Sequence, residues 1–119
     1  MNSERPALRR GRIVWATVSD ARGHQKQRPL IILTATDEIR EDEPLQAMAV
    51  STTFPDPAPK DHVELPWHPA GRAMTKLRKR SAAVLSWIVE VDSADIVELH
   101  GDVPGKVMLE ILERLAGLG

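Results

Sequence analysis

Gly11-Arg-Ile-Val-Trp-Ala-Thr-Val18, Ser19-Asp-Ala-Arg-Gly-His-Gln-Lys-Gln27 and Arg28-Pro-Leu-Ile-Ile-Leu-Thr34 follow one another without a break and read as strand, loop and strand. In the first run Val14, Ala16 and Val18 fall on one face, with Ile13, Trp15 and Thr17 on the other. Leu30 to Leu33 is apolar without alternation, the pattern of a strand covered on both faces. Two β-branched runs around a Gly-containing basic loop predict an antiparallel pair with a long connection. A proline can begin a strand without forfeiting an interior ladder bond. Arg28 is therefore expected at the rim of the sheet, on backbone that Pro29 stiffens.

Outward from this pair the chain continues as short strands. Asp37 to Pro44 is acidic and predicts a solvated loop, and Leu45 to Thr53 reads as a third strand with Leu45, Ala47 and Ala49 on one face. Pro55, Pro57 and Pro59 forbid regular pairing and predict a stiff connector. His62 to Leu65 is a short strand stopped by Pro66, and Ala82 to Val91 is a longer one. Asp92 or Ser93 can open a single helical turn before an edge strand over Val97 to His100. The end is helical: Asp102 as cap, Pro104 in the first turn, an apolar stripe of Val107, Ile111, Leu112 and Leu115, and Gly117 as the stop. Lys106, Glu110 and Arg114 stand four apart on the other side. The fold class is mainly β, a small bent antiparallel barrel with one C-terminal α-helix packed against it. The expected organisation is one domain over residues 1–119, with a loose lead-in at 1–10, a barrel at 11–100 and a helix at 102–117.

Composition narrows the function classes. At 119 residues the chain holds one modest core, and a formal net charge of −1 implies no particular partner. Local charge says more: Arg72 to Arg80 is densely basic, and Glu90 to Asp102 is acidic. With no cysteine there is neither a disulfide framework nor a thiolate metal site. The four histidines, His24, His62, His68 and His100, show no metal-ligand spacing, so neither metal nor cofactor is expected. No apolar run is long enough to span a bilayer, and the N-terminus lacks the apolar segment of a secretory signal, so a cytoplasmic protein without membrane attachment is expected.

The ordered set Gly11-Arg-Ile-Val-Trp15, the Gly23 loop, Arg28-Pro29-Leu-Ile-Ile-Leu33, Ala49-Val-Ser-Thr-Thr53, His62-Val-Glu-Leu65, Ser81-Ala-Ala-Val-Leu85 and the closing helix resembles the MazF/PemK (Kid) toxins of type II toxin–antitoxin systems. The resemblance spans about Gly11 to Leu115, and its most specific element is the Arg-Pro pair before the aliphatic run. It implies an SH3-like barrel of the kind shared with gyrase-poisoning CcdB toxins, a homodimer, neutralisation by a cognate antitoxin, and metal-independent cleavage of single-stranded RNA. The family's functional arginine falls on Arg28. Its functional threonine falls on Thr52, with Ser51 or Thr53 beside it. Many members carry Asp/Glu-Gln, any residue, then Arg-Thr on a later strand, where this chain reads Ser86-Trp87-Ile88-Val89-Glu90. That departure bears on activity rather than fold, and sets a second expectation beside the nuclease: a non-catalytic module that grips a protein target, as gyrase poisons do, or binds RNA uncut.

The chemistry assigns tasks to these residues. Metal-free cleavage uses the neighbouring 2′-hydroxyl as nucleophile, so a proton must be removed, charge on the phosphoryl oxygens stabilised, and the departing 5′ oxygen protonated. A guanidinium suits the second task and cannot serve the others, because it stays charged. Arg28 is thus the phosphate-steadying candidate, as against a rim arginine paired to a carboxylate. Thr52 can add a hydroxyl hydrogen bond. His24, in the same loop as Arg28, is the candidate proton shuttle. Lys26, Ser51, Thr53, Lys76, Arg78, Lys79 and Arg80 are candidate RNA-binding residues along an electrostatic track. Trp15 and Trp87 are expected in the core, leaving Phe54 and Trp67 as stacking candidates.

Overall fold

The computed structural model describes residues 8–19 and 22–118; most of the expected lead-in lies outside the described residues. Six strands, β1 (Arg12–Ser19), β2 (Gln25–Ile32), β3 (Leu45–Ser51), β4 (His62–Leu65), β5 (Ser81–Val91) and β6 (Ile96–Asp102), precede one helix, α1 (Gly105–Leu118). Single 3-10 turns fall at Thr36–Glu38 and Ser93–Asp95. All strand pairs are antiparallel, in the order β4-β5-β3-β2-β1-β6.

The continuous apolar run of β2 has the reason expected of it. Leu30 and Ile32 join Val14, Ala16, Leu45, Ala47 and Ala49 in one apolar cluster. Ile31 and Leu33 point the other way, into a second cluster with Ile13, Met48, Val50 and the helix residues Met108 and Ile111. Full burial of one such side chain contributes roughly 1.5–3 kcal/mol, so a central strand facing two cores cannot shift register without losing both. The helix stripe packs as its spacing implies, with Val107, Leu112 and Leu115 around buried Ile111.

Four expectations need correction. The β1–β2 hairpin is longer than its apolar runs, since pairing continues from Ala16↔Arg28 to Ser19↔Gln25. Backbone bonding needs no apolar side chains, so this polar part of the ribbon left no trace in hydrophobicity. Likewise β3 stops at Ser51 rather than Thr53. The sheet is not closed into a barrel: β4 and β6 remain its two edges. β4 has only four residues before Pro66, and the loop after it meets the end of β6 where the Met74 carbonyl accepts from Asp102 N–H. Asp102, finally, ends β6 and does not cap α1; its carboxylate takes two hydrogen bonds from Arg9, at 2.8 and 3.0 Å, and the Pro104 carbonyl opens the helix by accepting from Met108 N–H at 2.9 Å.

β5 is sharply offset. Val50 and Ser51 of β3 face Ala83 and Ala82, whereas Met48 faces Ile88. Between these rungs β3 supplies Ala49 alone while β5 supplies Val84 to Trp87, so β5 bulges and bends there. Val84 and Leu85 stay buried, and Ser86, Trp87 and Ile88 turn outward.

Candidate functional site

The ladder between β2 and β3 ends at Leu30↔Ala49. The next residue of β2 is Pro29, which has no N–H to extend it. Past that rung the strands part, and Gln27 to Pro29 and Val50 to Thr53 become two walls of a groove of about 550 Å³. Lys76 to Lys79, Ser81, Trp15, Trp87 and His100 complete its lining.

Arg28 is half-buried in β2, opposite Ala16 of β1. Its guanidinium lies over the Trp87 ring, 4.8 Å from the centroid, a contact worth about 0.5–2 kcal/mol depending on solvent access. Among the described residues no carboxylate pairs with it. A guanidinium held through its π face keeps its in-plane N–H donors for another group. Beside it, at the end of β3, the Ser51 hydroxyl donates to the Thr53 carbonyl (3.0 Å) and accepts from the Thr53 N–H (3.2 Å). This local turn, typical of serine, leaves the intervening Thr52 exposed on the groove wall.

The basic segment forms a fixed shelf rather than a solvated excursion. Thr75 is wholly buried; its hydroxyl donates to the Pro66 carbonyl (2.7 Å) and accepts from Leu77 N–H (3.1 Å). Leu77 is buried as well, and its carbonyl accepts from His68 N–H at 2.9 Å. Asp102 N–H donates to the Met74 carbonyl (3.0 Å), and His100 Nε2 donates to the Lys76 carbonyl (3.0 Å). The loop passes so near β6 that a Cβ at Gly101 would collide with the backbone of Met74 and Thr75. Lys76 itself has φ of +62°, a left-handed conformation that a side chain adopts at a cost of about 1–2 kcal/mol. Lys76, Arg78 and Lys79 remain exposed, and none forms an ion pair among the described residues.

The other candidates lie elsewhere. Lys26 and His24 are exposed further along the hairpin and its loop and do not line the groove. Arg80 turns away, 4.0 Å over the Phe54 ring. It donates to the Phe54 and Pro55 carbonyls at 3.1 and 3.2 Å, and pairs with Glu64 at 3.5 Å and Asp56 at 3.9 Å. That makes Arg80 a tie between the proline-rich connector and β4. Behind it, Asp61 accepts from the Ser86 hydroxyl (2.7 Å) and shares a hydrogen bond with His62 Nδ1 (2.8 Å). These two contacts, the serine first, hold the Asp61 carboxyl below its ordinary range. No three or more His, Asp or Glu side chains gather as a metal site among the described residues, and no described helix is long and apolar enough to cross a membrane.

The family model of PemK-like, MazF-like toxins of type II toxin–antitoxin systems matches residues 9–118. The chain belongs to that family. Its fold is that of MazF from Deinococcus radiodurans, with a TM-score of 0.73 at 17% identity over 94% of this chain and 96% of the other. The MazF–MazE complex of the same organism aligns at 0.72 and 18%, covering 94% and 95%. An endoribonuclease in complex with its cognate antitoxin, from a mycobacterial species, aligns at 0.69 and 19%, covering 93% of each chain. No curated protein matches by sequence.

Within this MazF-like fold three groove residues go unannounced by the sequence. Trp87 was expected in the core because it lies in an apolar run, yet the β5 bulge turns it out to 38% exposure. Trp15, also expected there, is half-buried and lines the groove. His100 carried no signal beyond its strand, since its partner Lys76 comes from a loop distant in sequence. Of the expected stacking residues, Phe54 is covered by Arg80 and tilted against His62, with centroids 5.6 Å apart, and Trp67 is exposed outside the groove.

Proposed function

We propose that this toxin is a metal-independent endoribonuclease that cuts single-stranded RNA in the cytoplasm, acts as a homodimer and is restrained by a cognate antitoxin. The observation that carries the reading is the convergence of Arg28, Thr52 and the Lys76–Lys79 shelf on one groove, with the Arg28 guanidinium free of carboxylate partners among the described residues. The shelf cations attract the RNA backbone and position it. Arg28 donates to the non-bridging oxygens of the scissile phosphate as negative charge grows there, and Thr52 adds a neutral donor. The 2′-oxygen attacks phosphorus and the bond from phosphorus to the 5′ oxygen breaks, leaving a cyclic phosphate and a free 5′-hydroxyl. One proton leaves the 2′-hydroxyl and one reaches the 5′ oxygen. Imidazole is the side chain suited to exchanging protons near neutral pH, and His100 is the histidine in the groove lining.

The test is a long unstructured RNA incubated with purified protein and a chelator. Cleavage is expected, with Arg28→Ala and Arg28→Lys both slowed about a hundredfold or more and circular dichroism unchanged. RNA bound but intact at high protein excess would instead identify a binding module on the same fold.

A further inference from the structure

Phosphate recognition accounts for the cations of the groove and leaves the part of Trp87 beyond its contact with Arg28 without a task. Trp87 is 38% exposed and shares the lining with Trp15, Pro29 and Leu77, an apolar surface beside a cationic one. The Arg28 guanidinium covers part of the indole, and the remainder is open to the groove. Its position is set by backbone: the bulge that places Val84 to Trp87 opposite Ala49 turns the ring outward, towards Arg28.

We infer that Trp87 is a base-stacking residue. An unpaired RNA base lies against the indole while the adjoining phosphate is held by Arg28, 4.8 Å from the same ring. The flat and the charged halves of one nucleotide are thereby met by neighbouring side chains. This rests on the RNA reading above and adds the fate of the base. The occupant is a single strand, because duplex bases are already stacked on both faces. Every base has a π face, so the contact raises affinity with little preference among bases.

The chain has three tryptophans and no tyrosine. A Trp67→Phe background therefore leaves Trp15 and Trp87, both in the groove lining, as the emitters. This protein is titrated with a short 2′-O-methyl RNA, which has no free 2′-hydroxyl and cannot be cut, and with versions carrying one abasic residue at each position in turn. The expected result is quenched emission, binding about tenfold weaker for Trp87→Ala, and near-normal binding for Trp87→Phe. One abasic position should cost the parent a similar factor and Trp87→Ala nothing further. Equal weakening of intact and abasic RNA by Trp87→Ala would overturn stacking and leave Trp87 as a prop for Arg28. Full affinity in Trp87→Ala with unchanged emission overturns stacking while the RNA reading stands. No binding by the parent overturns the RNA reading, and this inference with it.

Discussion

Gly101 of β6 lies so close to the backbone of Thr75 that no side chain fits between them. The contact holds the basic shelf in place from below. Gly101→Ala is expected to destabilise the protein by about 1–3 kcal/mol, as overpacking does, and to weaken RNA binding more than Tm alone explains, because Lys76 to Lys79 shift together. Thermal denaturation beside an RNA titration well below Tm checks this; a lower Tm with unchanged RNA affinity would show that the shelf does not depend on the contact.

Lys76, Arg78 and Lys79 carry separate charges, unpaired among the described residues. Each phosphate they neutralise contributes a slope of about −0.7 to the dependence of log affinity on log salt for a single strand. Replacing all three with alanine should flatten that slope by about 2 units, whereas Arg80→Ala should leave it in place and lower stability through the lost tie to Phe54 and Glu64. Binding isotherms at several salt concentrations separate the two.

His100 donates through Nε2 to the Lys76 carbonyl, which leaves Nδ1, 3.7 Å from Glu98, as the ring nitrogen for the proton exchange proposed above. His100→Gln keeps an N–H donor but has no ring nitrogen to take up a proton. It should retain the wild-type Tm, cleave about a hundredfold more slowly and flatten the pH–rate profile. An unaltered profile would confine His100 to latching the loop.

Asp61 predicts the acid behaviour. Its carboxyl is held below its ordinary value, chiefly by the Ser86 hydroxyl and then by His62. The contribution to stability is therefore complete above the unfolded-state value and is lost as pH falls through the lower folded-state value. Asp61→Asn should be less stable than wild type at neutral pH, with the difference shrinking in acid. Melting curves at successive pH values measure it, and a gap that widens in acid would reverse the sign.

Much of the fold was legible because apolar spacing encodes burial directly. Leu30 to Leu33, lacking alternation, announced a strand with two cores, and Val107 to Leu115 announced the covering helix. The site was legible where residue type carried chemistry, in Arg28 and in the lysines and arginines after Ala73. It was illegible where a register shift decides orientation. Nothing between Ala82 and Val91 says that β5 carries four residues where β3 carries one, so Trp87 read as core. Arg80 read like Lys79 because the two are adjacent and both cationic; only the fold brings Phe54 and Glu64 to one of them. The open sheet was hidden for a similar reason, since strand length predicts pairing but not which edges meet.

Pro29 works as a piece of carpentry. Where its nitrogen lacks a hydrogen, two strands stop being zipped and become the jambs of a doorway. Any other residue there would restore the donor for one more rung, drawing the jambs together and narrowing the opening between them.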